Sequence, residues 1–325
     1  MNEISPQDLK SILHSKRANI YYLEHCRVLV KDGRVEYVTE QGKDSLYWNI
    51  PIANTTSILL GTGTSITQQA VRELSRAGVL LGFSGGGGTP LYSANEVDVE
   101  VAWFLPQSEY RPTEYLQQCV SFWFNEDKRL EAAKMLQLMR LDFLDKQWKK
   151  LFDRRSINLN ISELDLSDTL VKYRDKIPLV DSNNELLLLE ASLTKILYRK
   201  MARSINYGDF KRMKGGSGID PANRFLDNGN YLAYGLGATA TWVLGLPHGL
   251  SVLHGKTGRG ALVFDAADLI KVAIILPQAF ISANVGHDHQ EFRDSCIDTL
   301  TRSEALDFII ESLKTISTSI GNAHQ

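Results

Sequence analysis

The sequence predicts an α+β protein, with an N-terminal β-rich domain over residues 1–100 and a larger all-α C-terminal domain over residues 101–325. Short β-branched and aromatic runs separated by turn residues fill the first hundred positions. Beyond Pro106 the apolar residues recur at helical spacing. A chain of 325 residues is also long for one hydrophobic core, which favours two domains.

The β-rich domain is predicted from its runs and turns. The stretch ANIYYLEHCRVLVKDGRVEYVT places two β-rich runs around a KDG turn, which indicates a hairpin. YWNIPI and TTSILLG continue the strand pattern. SITQQAVRELSRAG predicts a helix with Ser65 or Thr67 as N-cap and Gly78 at its end, and VLLGFS predicts a buried strand.

The helical domain contains a carboxylate on an apolar face. NELLLLEASLTKILYRKMA predicts a helix whose leucines, at positions 186, 189, 193 and 197, form one stripe. Glu190 lies on that stripe. A carboxylate there is costly unless it is paired with a cation or bound to a metal, and both readings stay open from the residues alone.

The stretch LHGKTGRGALVFDAADLIK follows with His254 ahead of Asp265 and Asp268, which project from one helix face. Two carboxylates so close repel unless a positive group lies between them. Lys256 and Arg259 could supply it as an ion-pair cluster. A divalent ion is the sharper alternative, because Glu, His and Asp ligands suit Mg²⁺ or Mn²⁺ better than a structural zinc site.

Other motifs carry less weight. GTGTSIT lacks the third glycine of a dinucleotide loop, and in HGKT the nearest upstream glycine is one residue too far for a P-loop. HDH, residues 287–289, reads as an incidental surface sequence. The three cysteines form no metal or disulfide pattern, no apolar run reaches about 18 residues, and no signal peptide is visible, so we expect a cytoplasmic protein without a membrane partner.

Charge is distributed unevenly. The formal net charge is −2, yet residues 199–224 hold seven basic and two acidic residues, and residues 128–156 hold nine basic and four acidic ones. Such basic tracts are either solvated helix faces or a footprint for a phosphate backbone. If the second reading holds, the residues we expect to contact DNA are Arg199, Arg203, Lys211, Arg212 and Lys214, together with Lys256 and Arg259. Tyr198, Tyr207 and Phe210 are interleaved with the first basic tract and could stack on unpaired bases.

Taken in order, these blocks resemble the CRISPR-associated integrase family Cas1. LLGTGTSITQQAVRELSRAGVLLGFSGGGG, LLLLEASLTKILYRKMA and NRFLDNGNYLAYGLGATATWVLGLPHGLSVLHGKTGRGALVFDAADLIK carry the likeness over about residues 55–300. The GGGG and KGGSG features resemble subtype I-F. The combination is specific, although no single block would be.

The resemblance implies an asymmetric homodimer and a Cas2 partner, which in subtype I-F is fused to the Cas3 helicase-nuclease. It implies metal-dependent cutting and joining of DNA, in which a protospacer 3′-hydroxyl attacks a CRISPR repeat boundary. The DNA substrates would be duplexes with frayed or 3′-overhang ends and the repeat itself. Glu190, His254 and Asp268 match the family's metal ligands and Asp265 a supporting acid. Tyr22 is a candidate for bracing a DNA fork.

Family members often carry Glu where this chain has Asp268, so which aspartate ligates the ion stays open. Two hypotheses follow. The first is a metal-dependent DNA endonuclease and integrase that uses Mg²⁺ or Mn²⁺. The second is a non-catalytic DNA-binding scaffold whose Glu, His and Asp cluster is an ion-pair network. A hydrolase of small phosphoesters ranks behind both, because it would not need two basic tracts.

Overall fold

The computed structural model describes residues 19–41, 44–83, 102–104, 111–152, 159–213, 220–254 and 261–321. The chain divides into two compact units, Met1–Arg111 and Pro112–Gln325. The first is built mainly from strands and the second from helices, so the predicted α+β class is confirmed. The boundary placed at residue 100 stays a prediction, because residues 84–101 lie outside the described residues.

The described residues of the first unit form two four-stranded sheets. One has the order β1-β5-β7-β8 and the other the order β4-β3-β2-β6. The strands are β1 Asn19–Leu23, β2 Arg27–Lys31, β3 Arg34–Gln41, β4 Asp44–Asn49, β5 Thr55–Leu60, β6 Ser65–Ile66, β7 Leu80–Phe83 and β8 Ala102–Phe104. β1, β5 and β7 run parallel, whereas β2, β3 and β4 form an antiparallel meander.

Local sequence explains the predicted hairpin turn and the predicted helix ends in this unit. In the β2–β3 hairpin, Asp32 and Gly33 both have positive φ, 49° and 75°, which matches the twist of the flanking strands. Helix α1, Gln68–Arg76, starts where the Thr67 side chain accepts a hydrogen bond from Ala70 N. It stops before Gly78, whose φ is 71°.

The second unit consists of helices. They are α2 Glu114–Trp123, α3 Glu126–Phe152, α4 Ile161–Leu164, α5 Ser167–Lys176, α6 Asn183–Ser204, α7 Pro221–Val243, α8 Ala261–Ile270, α9 Leu276–Val285, α10 His289–Arg302 and α11 Ala305–Gly321. The predicted leucine stripe lies on α6, where Leu186, Leu193 and Leu197 are buried and Leu189 is half-buried. A single π-helical turn, Lys271–Ile275, joins α8 to α9.

Helix α8 packs closely against α7. A Cβ atom at Gly237 of α7 would lie 2.7 Å from the Val263 carbonyl oxygen of α8, so only glycine permits this approach. Along α8 every described side chain except Phe264 is buried, including both aspartates. The close contact between the helices therefore fixes where Asp265 and Asp268 project.

Among the described residues, the helical segment Ala261–Val285 is long and apolar enough to cross a membrane, with a mean hydropathy of 1.6 in its 18-residue window. Asp265, Asp268 and Lys271 interrupt it, which is why no continuous apolar run was visible in the sequence. Of that window, 89% is buried inside the protein. Its apolar surface is thus covered by the chain's own helices.

Candidate metal centre

Three potential ligands come together in the second unit from three different elements. Glu190 projects from α6, His254 from the turn that follows α7, and Asp268 from α8. One ligand atom from each lies within 4.8 Å of the other two. In the part of the chain that the structure describes, these three side chains form a group that could hold a metal ion.

Asp265 orients the histidine. Its side chain is fully buried and accepts hydrogen bonds from the backbone N–H groups of Val252 at 2.7 Å, Leu253 at 3.2 Å and His254 at 3.0 Å. Its Oδ1 also lies 2.7 Å from Nδ1 of the His254 ring. Because a carboxylate only accepts, His254 donates from Nδ1, which leaves Nε2 on the other side of the ring to carry a proton or, once deprotonated, to bind a metal.

The turn that carries His254 is tied to two helices. Trp123, the last residue of α2, donates from Nε1 to Ser251 O at 2.7 Å. Asn183, the first residue of α6, donates from Nδ2 to Val252 O at 2.9 Å. The second bond links the histidine turn to the helix that carries Glu190. A side-chain hydrogen bond to the backbone therefore helps packing to set the distance between these two ligands.

Asp268 faces His254 on one side and a lysine on the other. Its Oδ2 is 3.4 Å from His254 Nε2, and its Oδ1 forms an ion pair with Lys271 Nζ. Burial alone raises the pKa of the Asp268 carboxyl, but Lys271, His254 and Arg140 together outweigh it and lower the pKa below its usual range. Asp268 is therefore a carboxylate at neutral pH.

Glu190 is paired more loosely. Its Oε1 lies 3.3 Å from Nη1 of Arg140, a residue of α3 whose side chain is only 1% exposed. Arg140 also donates to Gln137 Oε1 and Thr194 Oγ1. Burial raises the pKa of Glu190, and Arg140 offsets only part of that rise. Proton affinity at this position is thus higher than for an ordinary glutamate.

His254 also binds a proton more tightly than an ordinary histidine. Burial by itself lowers its pKa, but the hydrogen bond with Asp265 and the charges of Asp268, Asp265 and Glu190 raise it overall. Its side chain is 31% exposed, so the ring remains open to solvent on one side. A cation arriving at this opening would meet two carboxylates and one ring nitrogen.

The residues fit a hard divalent ion. Glu190, His254 and Asp268 would hold such an ion, because one ligand atom from each lies within 4.8 Å of the other two and the side chains could draw together around it. Two carboxylates and one imidazole match the donors that Mg²⁺ and Mn²⁺ accept. In the metal-free protein, Lys271 and Arg140 neutralise the negative charge of Asp268 and Glu190 that such an ion would neutralise.

Comparison with known protein families shows which family the chain belongs to. The family model described as CRISPR associated protein Cas1 matches residues 20–293. The chain belongs to the Cas1 family. The resemblance that the sequence blocks indicated is therefore confirmed, and with it the relation to CRISPR-associated endonucleases.

Relatives within the Cas1 family cover almost the whole chain. A CRISPR-associated endonuclease Cas1 of Pseudomonas aeruginosa is 61% identical over 317 residues, and one of Pectobacterium atrosepticum is 58% identical over 319 residues. Each alignment covers 98% of this chain and 98% of the relative.

Solved structures share the Cas1 fold at low identity. The structure described as a TtCas1–DNA complex has a TM-score of 0.64 and 21% identity, covering 92% of this chain and 91% of that one. A Cas1 protein from Thermotoga maritima has a TM-score of 0.65 and 17% identity, over 93% and 96%. A casposase bound to integration product has a TM-score of 0.64 and 14% identity, over 93% and 91%. These likenesses support the Cas1 architecture.

The predicted DNA-contacting residues fall into three groups. Arg199, Arg203 and Lys211 have exposed side chains. Arg212 is engaged within the protein, since it pairs with Asp227 and donates to Asn223 Oδ1 at 3.1 Å. Lys214, Lys256 and Arg259 lie outside the described residues.

The aromatic candidates have protein partners. Tyr22 is half-buried on β1 of the first unit and donates to Glu24 Oε1 at 2.7 Å. In the second unit Tyr207 and Phe210 pack on Phe280, with ring centroids 5.3 and 4.6 Å away, and Tyr198 lies 5.3 Å from Phe210. These three rings are therefore part of the packing within the second unit.

Sequence reasoning missed two members of the centre, Arg140 and Lys271. Arg140 is 50 residues from Glu190 and lies inside a basic tract that suggested solvent or DNA. Lys271 is three residues after Asp268, so the helical i, i+3 rule could have found it. The segment LHGKTGRG drew attention to Lys256 and Arg259 instead.

Proposed function

We propose that this chain is a divalent-metal-dependent DNA endonuclease and integrase of CRISPR adaptation, joining protospacer 3′-hydroxyl ends into the CRISPR repeat by transesterification. The convergence of Glu190, His254 and Asp268 carries the proposal. A bound Mg²⁺ or Mn²⁺ would act there as a Lewis acid on a phosphodiester oxygen and orient the attacking hydroxyl.

The chain's own residues support that chemistry. Asp265 holds the His254 ring so that Nε2 stays directed towards Asp268, as carboxylates behind metal-bound histidines generally do. Glu190 and Asp268 supply carboxylate oxygens as the other two ligands. Because the nucleophile is a DNA hydroxyl, no serine or cysteine nucleophile is needed.

DNA and protein partners follow from the family. We expect DNA with frayed or 3′-overhang ends and CRISPR repeat DNA as substrates, in line with relatives described as a Cas1–DNA complex and as a casposase on its integration product. Cas2 is the expected partner, since related chains occur in a Cas6-RT-Cas1–Cas2 complex. We also propose a homodimer, subtype I-F with Cas2 fused to Cas3, and a cytoplasmic location.

DNA contacts are proposed for the exposed basic residues and for the candidates in the loops. Arg199, Arg203 and Lys211 would attract the phosphate backbone. Lys214, Lys256 and Arg259 keep this role as predictions. Arg212 would take part only by exchanging its Asp227 pair for a phosphate. Tyr22 keeps the proposed role at the DNA fork.

A strand-transfer assay tests the proposal. A labelled short duplex with 3′-hydroxyl ends is incubated with the chain, its Cas2 partner and a plasmid carrying the repeat, with Mg²⁺, Mn²⁺ or EDTA. Joined product should require the ion and should disappear in His254→Ala. The matched control is His289→Ala, which removes an exposed histidine that hydrogen-bonds Asn228 outside the centre and should leave joining intact.

The scaffold hypothesis has one observation in its favour: each carboxylate of the centre already has a cationic partner, Arg140 for Glu190 and Lys271 for Asp268. It expects DNA binding that EDTA does not affect and no joining in any variant. That result would overturn the integrase proposal and leave the cluster as an ion-pair network.

A further inference from the structure

The helix that carries Asp265 and Asp268 does not continue as a regular α-helix. It ends at Ile270, and the π turn Lys271–Ile275 follows before α9. The N–H of Leu276 bonds Lys271 O, five residues earlier. π turns are rare and occur frequently at functional sites. This one begins at Lys271, the residue that pairs with Asp268.

The next bond of the π pattern cannot form. Its donor would be residue 277, five after Val272, but Pro277 has no N–H. The α-type donor, Leu276 N–H, is directed to Lys271. Trp148 of α3 replaces the missing donor, because its Nε1 donates to Val272 O at 3.0 Å. Both residues are buried, Trp148 with 1% and Val272 with 6% exposure.

We infer that Trp148 is a positioning residue of the metal centre: its indole N–H stabilises the π turn and thereby fixes Asp268 and Lys271 relative to Glu190. Helix α3 contacts both sides of the centre, because Arg140, about two turns before Trp148, pairs with Glu190. One helix thus ties the α6 ligand to the α8 ligand. The importance of this alignment rests on the proposed function.

Loss of the indole N–H favours a different register. Val272 O would then regain a donor inside the helix if Leu276 N–H bonded to it, as in an ordinary α-helix. The change from a five-residue to a four-residue hydrogen-bonded turn would rotate α8 relative to α9 by about 100°. Both helices are buried along most of their length, so only the π register lets both keep their packing.

Three variants of the full chain test the inference: Trp148→Phe, Pro277→Ala and the double variant. Trp148→Phe keeps an aromatic ring but removes the donor. We expect faster hydrogen exchange of the amides in residues 271–276 without any metal, and Mn²⁺ binding weakened by about tenfold, the lower end of losses when a residue that supports a ligand is changed. Pro277→Ala provides an N–H five residues after Val272, so the double variant should recover both properties.

Hydrogen exchange is followed by mass spectrometry, and Mn²⁺ affinity by electron paramagnetic resonance at a temperature where every variant is folded. The matched control is Trp48→Phe, which removes an exposed indole hydrogen bond to Thr39 in the first unit and should change neither readout in the second. If Trp148→Phe does not fold, benzothienylalanine at position 148 replaces the N–H by sulfur at nearly the same shape.

Two results would overturn the inference: unchanged exchange and Mn²⁺ affinity when the donor is removed, or a double variant in which the two losses add. The exchange measurement needs neither metal nor DNA. A wild-type chain that joins no DNA would therefore refute the proposed function while the exchange data still decide whether Trp148 holds the turn.

Discussion

On the Nδ1 side of His254, Asp265 is enclosed and accepts three backbone N–H groups, whereas on the Nε2 side Asp268 and Glu190 are each held by one cationic side chain. The two aspartates are three residues apart on one helix, yet their surroundings differ completely. Backbone donors cannot leave without unfolding the turn, but lysine and arginine side chains can be displaced. Asp265 therefore holds the ring rigidly. On the Nε2 side, Glu190 and Asp268 can exchange their cationic side chains for a metal ion.

The largest expected effect comes from removing a carboxylate on the Nε2 side. Asp268→Asn keeps the shape but removes a carboxylate ligand, so joining should fall by about 10³-fold, since a metal Lewis acid contributes several kcal/mol to transition-state stabilisation. The metal-free variant should also lose some thermal stability, because the buried Lys271 is left without the carboxylate that it pairs with, so joining is measured at a temperature where the variant is folded. Near-normal joining by Asp268→Asn, measured with Mn²⁺ in the strand-transfer assay, would contradict this assignment.

Removing Asp265, on the Nδ1 side, should reduce the stability of the fold most strongly. Asp265→Ala leaves three buried N–H groups and the His254 ring without their acceptor, which should lower the free energy of unfolding by about 3–5 kcal/mol. Urea unfolding measures the change. Asp298→Ala is the control, because the Asp298–Arg302 pair is exposed and contributes little. A loss no greater than in the control would show that Asp265 is not a structural acceptor.

The pH dependence sharpens the comparison. The pKa values of Glu190, buried, and of His254, hydrogen-bonded to Asp265, are both raised. Stability from a raised pKa is present below the unfolded value and is lost as pH rises through the folded one. The metal-free protein should therefore lose stability over about pH 5 to 8. An ion needs both groups deprotonated, so the Mn²⁺-induced rise in Tm should grow over this window. A rise in Tm that is independent of pH would refute this linkage.

The smallest expected effect concerns Arg140. Its charge offsets part of the burial that raises the pKa of Glu190. Arg140→Met should raise that pKa further, so the pH at which half of the Mn²⁺ stabilisation appears should move upwards. Thermal scans over a pH series measure the midpoint. A midpoint that stays in place or moves downwards would mean that Arg140 does not act on Glu190.

Much of the fold could be predicted because its signals are local. The KDG turn, the Thr67 cap and the leucine stripe of α6 each depend on neighbours within a few residues, and each is present. The two Asp residues were also expected to share a face. Their unequal environments could not be predicted, since they depend on which turn and which helix approach α8.

The π turn shows the limit most clearly. Pro277 in the sequence indicates a break or kink in the helix. The hydrogen bond that stabilises the π turn there comes from Trp148, 129 residues before Pro277, and no local pattern predicts it. Arg140 escaped notice for the same reason, because its partner is brought to it by tertiary packing. Ion pairs and donors that act across the core leave no periodic pattern in the sequence.

The apolar segment Ala261–Val285 also has a consequence for how the chain is made. It is hydrophobic enough for a membrane, yet it is covered by other helices, among them α11, Ala305–Gly321, which a ribosome synthesises later. Until α11 emerges, part of that surface faces water or chaperones. Nascent chains stalled before residue 305 should therefore be the species most prone to aggregate, and overexpression at lower temperature should favour the complete fold.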